Sequence, residues 1–299
     1  MKRCVLLIFA LCCVVACSWT TLFAETSHYI NGIEGIKAGT VPPPGVYYRM
    51  YNVFYNADKL MDNDGNDMPV DFKVSVYAMA NRFIWVTNQK ILGADFFMDA
   101  TIPLVNTNFK LGVRDLDQHE FGLGDICVEP VGLAWHGLRY DASFALAVYM
   151  PTGKYDKNDF SSPGMDFWTY MTTLGGTLYL DDSKTWSASI LARYEINSEK
   201  KDTDVTPGND FHFEWGIGKS FAKIWEAGLT GYCQWQVTDD SGSDAVNTDK
   251  RDRVYAAGPE ISVFIPPIMS AVSLRSQWEF GAEDRSEGNI TTLTFTKIF

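Results

Sequence analysis

Residues 185–197 read TWSASILARYEIN, an alternation of period two sustained over thirteen residues. Trp186, Ala188, Ile190, Ala192, Tyr194 and Ile196 form one set, and Ser187, Ser189, Leu191, Arg193, Glu195 and Asn197 form the other. Successive side chains of a strand point to opposite faces, so this segment is a strand whose two faces meet different surroundings. A soluble sandwich would bury Trp186 and Ile190 and leave Arg193 in water. A membrane barrel does the reverse, with apolar residues on lipid and polar residues in the lumen.

The pattern recurs. In 224–238, IWEAGLTGYCQWQVT, Trp225, Ala227, Leu229, Cys233, Trp235 and Val237 share one face, and Glu226, Thr230, Tyr232, Gln234 and Gln236 the other. Ten residues of tilted strand between Trp225 and Trp235 cover about 25 Å along a membrane normal, the height of an apolar band between two aromatic girdles. Strand-like runs fall at 45–56, 71–86, 89–104, 121–135, 138–151, 165–180, 184–198, 210–221, 224–238, 254–265, 270–283 and 288–299, about twelve in all. Most are longer than the five or six residues usual in soluble strands.

The connections alternate in length. TNQ, HG, DDS, AK and PPI are short; DKLMDNDGNDM, NTNFKLGVRDLDQH, TGKYDKNDFSSPG, EKKDTDVTPGN and DDSGSDAVNTDKRD are long and polar, and only EDRSE breaks the rule. Short periplasmic turns and long outer loops are the asymmetry of outer-membrane barrels. The expected fold is therefore an all-β, transmembrane, antiparallel up-and-down barrel of about twelve strands over 45–299, which leaves no unpaired backbone in lipid.

The start of the chain agrees. Lys2 and Arg3 precede an apolar run at 5–16 of signal-peptide length. Cleavage after Ala24 gives a signal peptide over 1–24; VVAC at 14–17 instead fits lipidation of Cys17. Both routes export the chain. No later run approaches the 18 apolar residues of a spanning helix. Four of six cysteines lie in the leader, leaving Cys127 and Cys233, so a disulfide framework is not expected. The formal charge of −12, more negative still once Lys2 and Arg3 are lost, disfavours nucleic acid as a partner.

The last residue, Phe299, ends TTLTFTKIF, with Leu293 and Phe295 on its face and Lys297 as the departure. An aromatic terminus is the signal that the barrel assembly machinery reads, so that machinery and membrane lipid are the expected partners. By alternation the lumen-facing candidates are Tyr47, Arg49, Tyr51, Tyr77, Asp141, Arg193, Glu195, Glu214, Glu226, Tyr232, Glu260, Arg275 and Glu279, with Asp95, Asp99, Asp125, Glu129, Arg139 and Tyr149 beside them. Such charges either pair across a small barrel and hold it shut or form a polar, cation-leaning passage. Tyr residues, with an apolar ring and a polar tip, suit a greasy ligand in a wet lumen or simple packing beneath a plug. Residues 25–44, ETSHYINGIEGIKAGTVPPP, permit a short helix that tucks into the lumen as a plug, or a periplasmic tail.

An enzyme is not expected. His28, His119, His136 and His212 sit in no Ser-, His- and Asn-rich motif of the outer-membrane phospholipase kind. No cofactor is expected either, since two mature cysteines and scattered histidines lack zinc spacing and no Gly-rich phosphate loop follows a strand.

Several stretches resemble a single family named for the MetA pathway of phenol degradation, regarded as outer-membrane proteins. They are PPPGVYYRMYNVFYNADKLMDNDGN (42–66), NRFIWVT (81–87), GLGDICVEPVGLAW (122–135), PTGKYD (151–156), RYEINSE (193–199), GYCQWQVTDDSGS (231–243) and AAGPEIS (256–262). After PTGKYD the chain reads NDFSSPGMDFW where an Asn- and Gly-rich stretch would be expected, so loop specificity departs there. The resemblance implies an outer-membrane channel of Gram-negative cells that passes small hydrophobic or aromatic compounds. The alternative is a non-conducting structural or adhesive barrel.

Overall fold

The computed structural model describes residues 27–246 and 248–299; the expected signal peptide and the Cys17 alternative lie outside them. Thirteen strands occur among the described residues: β1 (Gly45–Leu60), β2 (Phe72–Ile91), β3 (Ala94–Leu111), β4 (Leu116–Leu123), β5 (Ile126–His136), β6 (Tyr140–Met150), β7 (Thr169–Tyr179), β8 (Trp186–Asn197), β9 (Asp210–Phe221), β10 (Trp225–Gln236), β11 (Arg253–Ile265), β12 (Ser270–Glu283) and β13 (Ser286–Ile298). Neighbours pair antiparallel, and β1 pairs with β13 through Tyr47↔Ile298 to Leu60↔Ser286, which closes the sheet. β4 and β5 are two halves of one wall strand. β3 pairs with β4 through Leu104–Leu111 and with β5 through Asp95–Thr101, and the break falls at Gly124–Asp125. The fold is thus a closed barrel of twelve spanning strands.

The free edge of β4 is met by the connection between β6 and β7. Lys154 N donates to Leu123 O at 3.3 Å, and the Asp125 carboxylate accepts from Gly153 N at 2.8 Å and Met165 N at 2.7 Å. Backbone groups left open by the break are satisfied locally, as a wall in a membrane requires.

The alternation of 185–197 resolves as expected. Trp186 and Ile190 are 43% and 48% exposed, whereas Arg193 and Glu195 are buried at 5% and 0%. Leu229 on β10 is 58% exposed while Tyr232 and Gln234 are buried. The outer surface is apolar and the interior polar, the inverse of a soluble core. Cys127 is buried on the inner face and Cys233 is partly buried on β10; both are free thiols.

Two boundaries differ from expectation, for one reason. The turn expected at TNQ (87–89) lies at Leu92–Gly93, both left-handed with φ of 52° and 78°, and Thr87–Gln89 remain inside β2. The long loop expected at 106–119 is mostly strand, because β3 runs to Leu111 and β4 starts at Leu116. Polar residues there mark where the sheet leaves the bilayer, not where it turns. A hairpin continues into water as readily as through lipid, since its ladder hydrogen bonds are internal.

Candidate functional site

Residues 27–44 form turns and extended chain; the short helix permitted by the sequence is absent. This segment lies inside the barrel. Its first residues sit in the outer half, where His28 N donates to Glu195 Oε2 at 2.9 Å. The His28 ring hydrogen-bonds with Asp125 and Thr169, each at 2.9 Å, and stacks on Tyr149 with centroids 4.6 Å apart. Tyr29 places its ring under the Arg193 guanidinium, 3.7 Å from ring centre to Cζ, and its hydroxyl donates to Glu214 at 2.8 Å. Midway, the Glu34 carboxylate accepts from Arg49 at 2.7 Å, Arg82 at 2.9 Å and the Tyr51 hydroxyl at 2.7 Å. Further down, Ile36 N donates to Glu260 at 3.0 Å and Lys37 pairs with Glu226 at 2.6 Å. At the end nearest β1, Thr40 donates to Asp141 at 3.0 Å, and Tyr47 to Pro43 O at 2.6 Å.

Glycines in the wall make room for this chain. A side chain at Gly216 or Gly218 on β9 would fall 2.7 Å or less from Ile36, and one at Gly39 would meet the backbone of Gly176 on β7 at 2.4 Å. Glycine permits such close backbone approach because nothing projects from its Cα. The wall is grooved where the segment passes.

Of the lumen residues expected from the sequence, Tyr47, Arg49, Tyr51, Asp141, Arg193, Glu195, Glu214, Glu226 and Glu260 all contact the segment, as does Arg275, which donates to the Gly32 and Ile33 carbonyls. Tyr232 and Glu279 form a second group higher up, where Tyr232 and Tyr55 donate to Glu279 at 2.7 and 2.8 Å. Arg285 approaches Glu279 at 4.0 Å and pairs with Asp252 at 3.0 Å. In that outer loop burial lifts the Asp252 carboxyl to about 6, with Asp284 adding to it and Arg285 opposing.

Tyr77 is a correction. It lies on the outward face of β2, where its ring packs on Phe54 at 4.9 Å and its hydroxyl donates to Asn52. The inward positions of β2 are Ala78, Ala80, Arg82, Ile84 and Val86. Both faces of that strand are largely apolar, so composition misassigns the parity that Arg82 fixes. Arg139 is the second correction: it lies in the turn before β6, outside the lumen, paired with an exposed Asp182.

Sequence reasoning missed Arg82 and Glu34 as lumen residues. Arg82 was legible, two residues from Ala80 and Ile84 within NRFIWVT. Glu34 was not, because no periodicity reports where an irregular segment lies.

Two clefts flank the segment. One, of about 60 Å³, is lined by Glu34, Arg49, Arg82, Glu129 and Arg193 with Ile84, Phe97, Ala145 and Leu191. The other, of about 170 Å³, lies between Glu34–Lys37 and the wall formed by Arg49, Tyr51, Glu226, Glu260, Arg275 and Thr294. Both are amphipathic, with charged groups and aliphatic walls side by side.

The fold is that of outer-membrane channels. The COG4313 outer membrane channel from Pseudomonas putida F1 superposes with a TM-score of 0.78 at 13% identity, covering 92% of this chain and 100% of that one. The β domain of the Bordetella autotransporter BrkA gives 0.52 at 10% identity over 86% of this chain and 100% of that one. The translocator domain of the autotransporter NalP from Neisseria meningitidis gives 0.50 at 9% identity over 86% of this chain and 90% of that one. At these identities the likeness is one of fold. Comparison with curated proteins finds no sequence match. A family model does match, over residues 57–295, which is most of the barrel. The chain is an outer-membrane β-barrel and belongs to the family named for the MetA pathway of phenol degradation.

Proposed function

We propose that this protein is an outer-membrane channel for small hydrophobic or aromatic compounds, with residues 25–44 acting as a plug. The observation that carries the reading is the threaded lumen: residues 27–44 run inside the barrel, held at Glu195, Glu214, Glu260 and Asp141, with an amphipathic cleft on either side. Tyr47, Tyr51 and Tyr232 offer rings and hydroxyls along the same interior. The family name supports the same substrate class, and the fold is one that an outer-membrane channel also has. Twelve strands enclose little space, and the segment narrows it further. The solute is therefore small, and ion flow is low until the segment moves.

The test is uptake of a labelled simple aromatic by cells with and without the gene, together with single-channel recordings. Deletion of 26–40 should raise conductance. Unchanged uptake, and silent bilayers even after the deletion, would refute transport.

A non-conducting structural barrel is the second reading, and one observation favours it: the interior charges are largely paired. Arg193 with Glu214, Arg82 with Asp99 and Glu129, and Arg285 with Asp252 lie at 2.6–3.4 Å. Such pairs hold a barrel shut as readily as they line a path. No catalytic role is proposed. His212 hydrogen-bonds with Glu195 at 2.8 Å, an arrangement in which it lines the lumen.

A further inference from the structure

The smaller cleft carries a sharper statement about the solute, which rests on the channel reading. Arg49, Arg82 and Arg193 line it, from three different strands. Each has a buried Nε–H with no hydrogen-bond partner among the described residues, and Arg193 is only 5% exposed. Leaving such a donor unpaired costs free energy, so an acceptor that enters the cleft and reaches one is stabilised there. Beside them Ile84, Phe97 and Leu191 supply an apolar lining for a ring.

The cleft already has an internal occupant. The Glu34 carboxylate, carried by the N-terminal segment, bridges Arg49 at 2.7 Å and Arg82 at 2.9 Å. Among the described residues it is the carboxylate paired with Arg49, whose other side-chain partner is the Tyr51 hydroxyl at 3.2 Å. Withdrawing Glu34 alone would strand a cation inside the barrel, which is costly. A neutral solute cannot compensate for that loss. A monoanion can, by exchanging one carboxylate for another with no change of net charge.

Volume couples the exchange to the segment. The space in the cleft is about 60 Å³, well below the roughly 150 Å³ of an apolar cavity that binds benzene. A ring therefore enters only if the segment gives way, and the part that borders the cleft is Glu34 with Ala38, Thr40, Val41 and Pro42.

We propose that this cleft reads a small aromatic monocarboxylate, whose carboxylate replaces that of Glu34 on Arg49 and Arg82 and so displaces the segment from the lumen. Glu34 is then a built-in competitor that keeps the passage shut until a solute of matching charge and shape arrives. Planar bidentate recognition of carboxylate is what the guanidinium group supplies and an ammonium does not.

The experiment is calorimetric titration of the purified full-length barrel in detergent with benzoate, with toluene and, as a plain anion, with acetate, followed by recordings of the same proteins in bilayers. Benzoate should bind at least tenfold more tightly than acetate or toluene, and should raise conductance. Glu34→Gln should tighten benzoate binding about tenfold, a gain that misfolding cannot mimic. Arg82→Gln should weaken it by at least tenfold while the barrel keeps its heat-modifiable mobility. Absence of benzoate binding to both wild type and Glu34→Gln would overturn the proposal, as would acetate matching benzoate. Toluene binding as well as benzoate, indifferent to Arg82→Gln, would also overturn it and leave the hydrophobic channel standing. Aromatic uptake unchanged by loss of the gene, with bilayers silent even after deletion of 26–40, would instead sink the channel reading on which it rests.

Discussion

Leu229→Arg tests the assignment of inside and outside at its most sensitive point. Leu229 is 58% exposed on β10, and its cross-strand partners are Ile217 on β9 and Pro259 on β11. Ile217 is itself 51% exposed and Ile261, two residues beyond Pro259, is 44% exposed, so the patch is apolar in every direction along the wall. Trp225 and Trp235 lie four and six residues away along the strand. With a rise of about 3.3 Å per residue and a tilt near 40°, an Arg at 229 would sit roughly 10–15 Å from either girdle. Neither cross-strand partner offers it a carboxylate. A charge at that depth should cost about 2–4 kcal/mol, equivalent to a roughly 30- to 1000-fold fall in the folding constant. The control is Ile224→Arg in the turn before β10, where the same charge near the interface should cost only about 0–1 kcal/mol. The assay is reversible denaturant unfolding in lipid vesicles followed by tryptophan emission. Equal costs at 224 and 229, or no cost at 229, would mean that the apolar band does not face lipid.

Other outcomes follow from the same structure. The protein should fractionate with the outer membrane and run faster on gels when unheated, and recovery as a soluble periplasmic monomer would end the barrel assignment. Arg193→Ala should leave the barrel folded, by heat-modifiability, but loosen the segment through loss of its contacts to Tyr29 and Glu214; faster proteolysis at 27–44 in the purified variant is the readout, and unchanged protection counts against the role. Cys127 and Cys233 should remain reduced in purified protein, because they face opposite sides of the wall on strands that are not neighbours; mass spectrometry showing a bridge would contradict the register. Removing Phe299 should slow assembly into the membrane, seen as periplasmic accumulation, if the terminal aromatic is read by the assembly machinery.

Much of the barrel is written in local pattern. Alternation over 185–197 and 224–238 assigns the faces of β8 and β10 with no tertiary information, because lipid and lumen impose opposite demands on neighbouring residues. Twelve strand-like runs set the count of wall strands, and one of these, β4–β5, is broken at Gly124–Asp125. Pattern failed where both faces of a strand are apolar, as around Tyr77, and where polar strands continue beyond the bilayer, as at 87–89 and 106–119. The interior was decided by tertiary structure alone. Residues 27–44 have no period, so nothing local says that Glu34 meets arginines 15 and 48 positions away, or that Gly216 and Gly218 clear a path for Ile36. Those contacts exist because closure of the sheet confines the segment among buried charges, each of which must find a partner. A sequence records which residues require partners; only the closed barrel determines which ones they meet.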